Sequence, residues 1–299
     1  MLKKLFAAGA ISIMAINGTV ANAAVVSLTN TYALNSALAA SNDNYNPQGI
    51  GFDSSANELL FVEQSAQNIV RTDLTGQILG TRTLVGGQGN HYVVSVAADA
   101  NKYYFSDYTC NTGCIDLYSI GKTSGSAVAL STEVAGFGGY PIDVRNGYLY
   151  RTNVSNNYDF SNLHNIRISS MSAVDTTLQT LTLSGAGIAD FSVDTAHNSI
   201  WVLDYLASAS VRRFDLGTGA LLDTFALGLD GLTAGLTFGN NTLYYYDWNQ
   251  SGSSLKTYSI SGFPAETGTV PEPETYTLVL ASLGLLAFVT RRRKAKQVS

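Results

Sequence analysis

Hydrophobic and polar positions along the 299-residue chain fall into a recurring block. Aromatic or aliphatic runs ending in an acidic residue appear as LLFVE to Glu63, YYFSD to Asp107, IWVLD to Asp204 and YYYD to Asp247, with YLYRT to Thr152 as a weaker copy. Their ends lie 44, 45, 52 and 43 residues apart. An alternating segment follows each one: IVRTDL to Leu74, IDLYSI to Ile120, LHNIRI to Ile168, VRRFDL to Leu216 and LKTYSI to Ile260. Short apolar runs precede each acidic run (GIGFD, VVSVAAD, PIDV, DFSVD, AGLTF), and a fourth run comes after (QILGTRTL, SAVALS, LQTLTL, LLDTFAL). Such runs predict four short strands per unit. A four-stranded unit at this period is the signature of a β-propeller blade.

The fifth unit has no fourth run of its own, because residue 261 onward leads into Pro264-Ala265-Glu266-Thr267-Gly268-Thr269, a polar linker over 264–269. Residues 25–34, VVSLTNTYAL, form an alternating strand ahead of the first complete unit and are placed to complete the last blade. Closing the ring in this way removes open sheet edges. The expected architecture is therefore an all-β, five-bladed propeller over residues 24–263, with six blades as the alternative.

Both ends carry different patterns. Lys3 and Lys4, the apolar run Leu5 to Ile16 and the small residues through Ala21-Asn22-Ala23 have the layout of a secretory signal over 1–23, cleaved after Ala23. After the linker, Val270-Pro271-Glu272-Pro273-Glu274 is held extended by two prolines at alternate positions, a form suited to a processing enzyme's cleft. Residues 277–290 are apolar, and Arg291, Arg292, Arg293 and Lys294 follow. Cations beside an apolar helix stay on the cytoplasmic side, so the blades lie outside the inner membrane. Fourteen apolar residues are fewer than the roughly 20 of a comfortable span, which favours a temporary anchor over a permanent one.

The order Val-Pro-Glu-Pro, apolar helix, arginine cluster resembles the PEP-CTERM sorting signal of Gram-negative bacteria, here over 270–299. The resemblance implies recognition of Pro271, Glu272 and Pro273 by an exosortase, a stop at Arg291 to Arg293, and an association with exopolysaccharide or biofilm at the cell surface. The segments FVEQSAQNIVRTDL and WVLDYLASASVRRFDL resemble NHL-repeat and gluconolactonase-like propellers. This second likeness bears on fold more than activity.

Charge narrows the partners. Setting aside the leader's two lysines and the tail's five basic and two acidic residues leaves 10 basic against 20 acidic residues. An acidic surface repels phosphate backbones and disfavours nucleic acid. Cys110 and Cys114, in YTCNTGC, suit a small disulfide in an oxidising compartment. They lack the further ligands of a zinc site and the spacing of a thioredoxin-like centre.

In blade geometry Glu63, Asp107, Asp204 and Asp247 would ring one face beside Gly-rich loops such as VGGQGNHY, which holds His91. Hard oxygen ligands of this kind suit calcium. An acid recurring once per repeat also caps its own turn, a structural role with the same signature. No G-x-S-x-G elbow, H-E-x-x-H helix or phosphate loop is present. Two functions stay open: an envelope or matrix module that binds polysaccharide or protein, and a divalent-metal-dependent hydrolase or lactonase.

Overall fold

The computed structural model describes residues 24–34, 38, 49–63, 67–84, 93–107, 117–131, 141–152, 164–204, 210–227, 233–247 and 253–263. The first blade comprises β2 (Ile50–Asp53), β3 (Glu58–Glu63), β4 (Asn68–Thr72) and β5 (Ile78–Thr83), and the second β6 (Val93–Ala98), β7 (Lys102–Asp107), β8 (Leu117–Gly121) and β9 (Val128–Ala129). The third holds β10 (Ile142–Arg145), β11 (Tyr148–Thr152), β12 (Asn165–Ser170) and β13 (Ala173–Thr182), and the fourth β14 (Ile188–Asp194), β15 (Ser199–Asp204), β16 (Ser210–Asp215) and β17 (Leu221–Phe225). The fifth is β18 (Thr233–Gly239), β19 (Thr242–Asp247) and β20 (Ser254–Ser261), completed by the N-terminal β1 (Val25–Ala33).

The protein is a five-bladed β-propeller closed between its two ends, as the repeat pattern predicts. β1 pairs antiparallel with β20, from Val25 opposite Ser261 to Ala33 opposite Ser254, with one register shift between Leu28 and Asn30. First strands meet in sequence around the axis, β2 with β6, β6 with β10, β10 with β14, β14 with β18, and β18 back with β2. Each interface between neighbouring blades has its own apolar core. Leu60, Val62 and Ile69 of the first blade meet Val96 and Phe105 of the second, and Tyr244 and Tyr246 of the fifth meet Phe52, Leu59 and Phe61 of the first.

The sequence runs follow from these positions. Second strands are sandwiched on both faces, so Ser199–Asp204 is buried throughout and reads as a continuous apolar run. Fourth strands lie at the rim, where β5 and β17 alternate between exposed and half-buried positions.

The connections sort by face. First-to-second and third-to-fourth connections have two to six residues and share a turn face. Asn57, Asn146, Asn198, Asn240 and Asn241 take φ between +46° and +57° there. Asn tolerates this left-handed region better than most residues, so it supplies the tight hairpins. Second-to-third and blade-to-blade connections have four to sixteen residues and share the opposite, loop face.

Candidate functional site

The axis is lined by first strands, whose polar side chains bond from blade to blade. Ser95 Oγ accepts the Ile142 amide at 3.0 Å. Asp143 Oδ2 accepts the Val193 amide at 2.8 Å and the Ser192 hydroxyl at 3.1 Å. Asp190 Oδ2 and Ser192 Oγ accept the Leu236 and Phe238 amides at 2.8 and 3.0 Å. These contacts join the second through fifth blades, satisfying amides that no ladder could reach.

The other part of the ring uses close backbone approach. A Cβ on Gly49 or Gly51 would stand 2.6 or 2.4 Å from the carbonyl oxygen of Val94 or Val96, and one on Gly239 would stand 2.2 Å from the Phe52 ring. Glycine is required because the strands pass too near for a side chain.

Arg145 lies at the turn-face end of the axis. Its guanidinium donates to the carbonyls of Val193, Phe52 and Phe238, at 3.2, 3.4 and 3.2 Å, and pairs with Asp143 at 3.3 Å. One side chain of the third blade thus ties the first, fourth and fifth, an arrangement suited to the planar fork of arginine. Asp190 is 3% exposed. Burial pushes its carboxyl well above the usual range, and the neighbouring Asp143 adds to the rise, against the opposing pull of the Leu236 and Phe191 amides. The axis is a hydrogen-bonded polar seam that ties blade to blade.

At the loop face, Glu63, Asp107, Asp204 and Asp247 end the second strands β3, β7, β15 and β19. Asp204 is fully buried; its Oδ1 accepts the Gly187 amide at 2.9 Å and its Oδ2 pairs with Arg212 at 3.0 Å. Arg212 also donates to the Gly185 carbonyl at 2.6 Å, so the pair grips the entry to the fourth blade. Asp247 pairs with Lys256 of the adjacent strand at 2.6 Å. The side chains of Glu63 and Asp107 lie outside the described residues, as do His91, Cys110, Cys114, Ala23 and all of 264–299 with Pro271, Glu272, Pro273 and Arg291 to Arg293. Among the described residues no three His, Cys, Asp or Glu side chains gather closely enough to hold a metal ion.

Acids also recur at the turn face. Asp53 Oδ1 accepts the Ser55 and Ala56 amides, Asp99 the Asn101 and Lys102 amides, and Asp215 the Gly217 and Thr218 amides. Each closes its own hairpin, a use of short acids that competes well with solvent. The axial residues Asp143, Arg145, Asp190 and Ser192 escape the sequence reading. Their signal was present in PIDVR and DFSVD, where polar residues interrupt runs otherwise expected to be buried.

Residues 269–294 match the PEP-CTERM protein-sorting motif. No curated protein matches the chain. Among the described residues no helix is long and apolar enough to cross a membrane; the apolar segment 277–290 lies outside them. The sorting motif and the ring of blades together make the chain an exported, exosortase-processed protein, held by a C-terminal membrane segment before cleavage, whose globular part is a five-bladed β-propeller.

Proposed function

We propose that this protein is a non-enzymatic binding module of the cell envelope or extracellular matrix, taking polysaccharide or protein on its loop face. The carrying observation is the asymmetry of the two faces, two to six residues per connection on one and four to sixteen on the other. Binding residues concentrate on loops set by a rigid scaffold. The long connections contain Tyr92, Tyr108, Tyr140, Tyr158 and Trp248 among many Asn and Gly residues. Flat amphipathic rings suit sugar faces and protein surfaces alike. Glu63, Asp107, Asp204, Asp247 and His91 are the candidate ligand groups of that face, with calcium the ion carboxylate oxygens favour, although Asp204 and Asp247 are already engaged by Arg212 and Lys256.

Delivery follows from the ends. The leader 1–23 is removed after Ala23, which the burial of Ala24 against the fourth and fifth blades supports, since a short mature end fits there. Residues 24–263 form the propeller domain, 264–269 the linker and 270–299 the sorting signal, with 277–290 a transient hold in the inner membrane. Cys110 and Cys114 staple the connection 108–116 as a disulfide. The link to exopolysaccharide or biofilm belongs to this reading.

The test is binding of the mature propeller, residues 24–263 oxidised, to neutral and acidic polysaccharides, with a lactone panel run alongside in calcium. Tyr108→Ala and Tyr140→Ala are expected to weaken polysaccharide binding about tenfold, the worth of one stacked ring. Lactone turnover lost in Asp204→Ala or Asp247→Ala, with the fold intact, would overturn the non-enzymatic reading.

A further inference from the structure

The strand that leads to the membrane tail is β20. As a third strand it runs from loop face to turn face, and it is interior to its sheet, between β19 and β1. The chain therefore hangs from a strand paired along both edges. Gly262, at φ +73°, turns the chain out of the sheet, and Phe263 is then seated against the fourth blade. Its ring stacks on His197 at a centroid distance of 3.6 Å, meets Trp201 edge-on at 6.3 Å and lies 5.5 Å from the Arg213 guanidinium. His197 is itself held by Asp194, through Nδ1 at 2.7 Å and its amide at 3.1 Å. The exit point is fixed at the turn face, beside the first hairpin of the fourth blade.

We propose that this exit orients the anchored protein, with the turn face towards the bilayer and the loop face outward. Thirteen residues, 264–276, separate Phe263 from the apolar segment, and seven, 264–270, separate it from Pro271. At 3.3–3.6 Å per residue these reach at most about 45 and about 25 Å. Six-residue strands make the propeller about 20 Å tall before its loops are added. A path up the rim to present the loop face to lipid uses about 20 Å of the longer tether before the loops are passed and nearly all of the shorter one, so the turn face reaches the bilayer with the least extended tether. Turn-face acids are committed to their own hairpins, as at Asp53, Asp99 and Asp215. Tether geometry, with no adhesive contact to headgroups, sets the orientation. The inference rests on the tail as anchor and is independent of what the loop face binds.

The experiment uses the full chain, made without exosortase and placed in phosphatidylethanolamine and phosphatidylglycerol vesicles carrying an acceptor dye on the headgroups. A donor dye is attached through an azide-bearing residue replacing Ser54, exposed on the turn face, or Ser208, in the loop-face connection 205–209. Cys110 and Cys114 stay untouched, and circular dichroism checks the fold of each form. Transfer to the membrane is expected to be at least about twofold stronger from position 54, given a height difference of about 20 Å. Equal transfer, or stronger transfer from 208, overturns the proposal. Lengthening the linker by about 30 Gly and Ser residues, which adds a flexible span of about 30 Å, is expected to erase the difference. A difference that survives shows adhesion of the turn face itself and overturns the tether mechanism.

Discussion

Replacing Arg145 by methionine keeps an unbranched stem close to the length of its aliphatic part and removes the guanidinium with its five donors. Three carbonyls, of Val193, Phe52 and Phe238, lose the guanidinium bond, and Asp143 loses its cation. A buried acceptor left unpaired costs about 1–3 kcal/mol. Bonds of 3.2–3.4 Å and a side chain 13% exposed favour the lower end for each. Asp143 keeps amide donors from Val144 and Val193 and the Ser192 hydroxyl, which holds its loss below the 3–5 kcal/mol of a fully stranded buried charge. The sum is about 3–5 kcal/mol, a lowering of the melting temperature by roughly 6–20 °C for a domain of this size. Urea and thermal unfolding of the mature propeller measure it. Arg145→Lys retains the charge but has no fork to span three blades, so it should fall between wild type and Arg145→Met. A loss under about 1 kcal/mol in Arg145→Met, or a lysine variant equal to wild type, refutes the assignment of Arg145 as the pin joining these blades.

Three further outcomes are expected. Asp190 is more basic in the folded than in the unfolded protein; the native state then binds more protons, and stability falls as pH rises above the unfolded value of about 3.9 towards the folded one. Asp190→Asn should remove that slope in urea titrations across pH, and parallel curves for the two proteins would count against a protonated Asp190. Burial pushes the Tyr150, Tyr246 and Tyr258 phenols up to about 12, so absorbance titration should show fewer of the 17 tyrosines ionising at pH 10–11 in the native protein than in guanidinium; identical curves argue against their burial. Gly51→Ala places a methyl 2.4 Å from the Val96 carbonyl oxygen and should cost at least about 1–3 kcal/mol, whereas an unchanged urea midpoint would mean that the first and second blades lie farther apart.

How much was legible depended on whether the cause was local. Period-two runs, their order and the 43–52 residue spacing follow from which strand faces are buried, so YYFSD, IWVLD and their partners announced blades directly. The proline pair and arginine cluster of the tail were readable for the same reason, since extended backbone and charge beside an apolar segment need no partner from elsewhere in the chain. The recurring acids at 63, 107, 204 and 247 were found, but what Asp204 and Asp247 touch was not, because Arg212 and Lys256 reach them across a strand pair. Arg145 shows the limit most clearly. One arginine in PIDVR carries no mark of its task, which exists only when carbonyls from residues 52, 193 and 238 arrive at one point on the axis. Ring closure itself was legible, from the missing fourth run of the last unit and the alternation of residues 25–34, but the register that puts Val25 opposite Ser261 and the exit of the chain at the turn face come only with the closed ring. Patterning is written one residue at a time, whereas register between distant strands, the axial seam and the direction of the tether come from packing five blades into a circle.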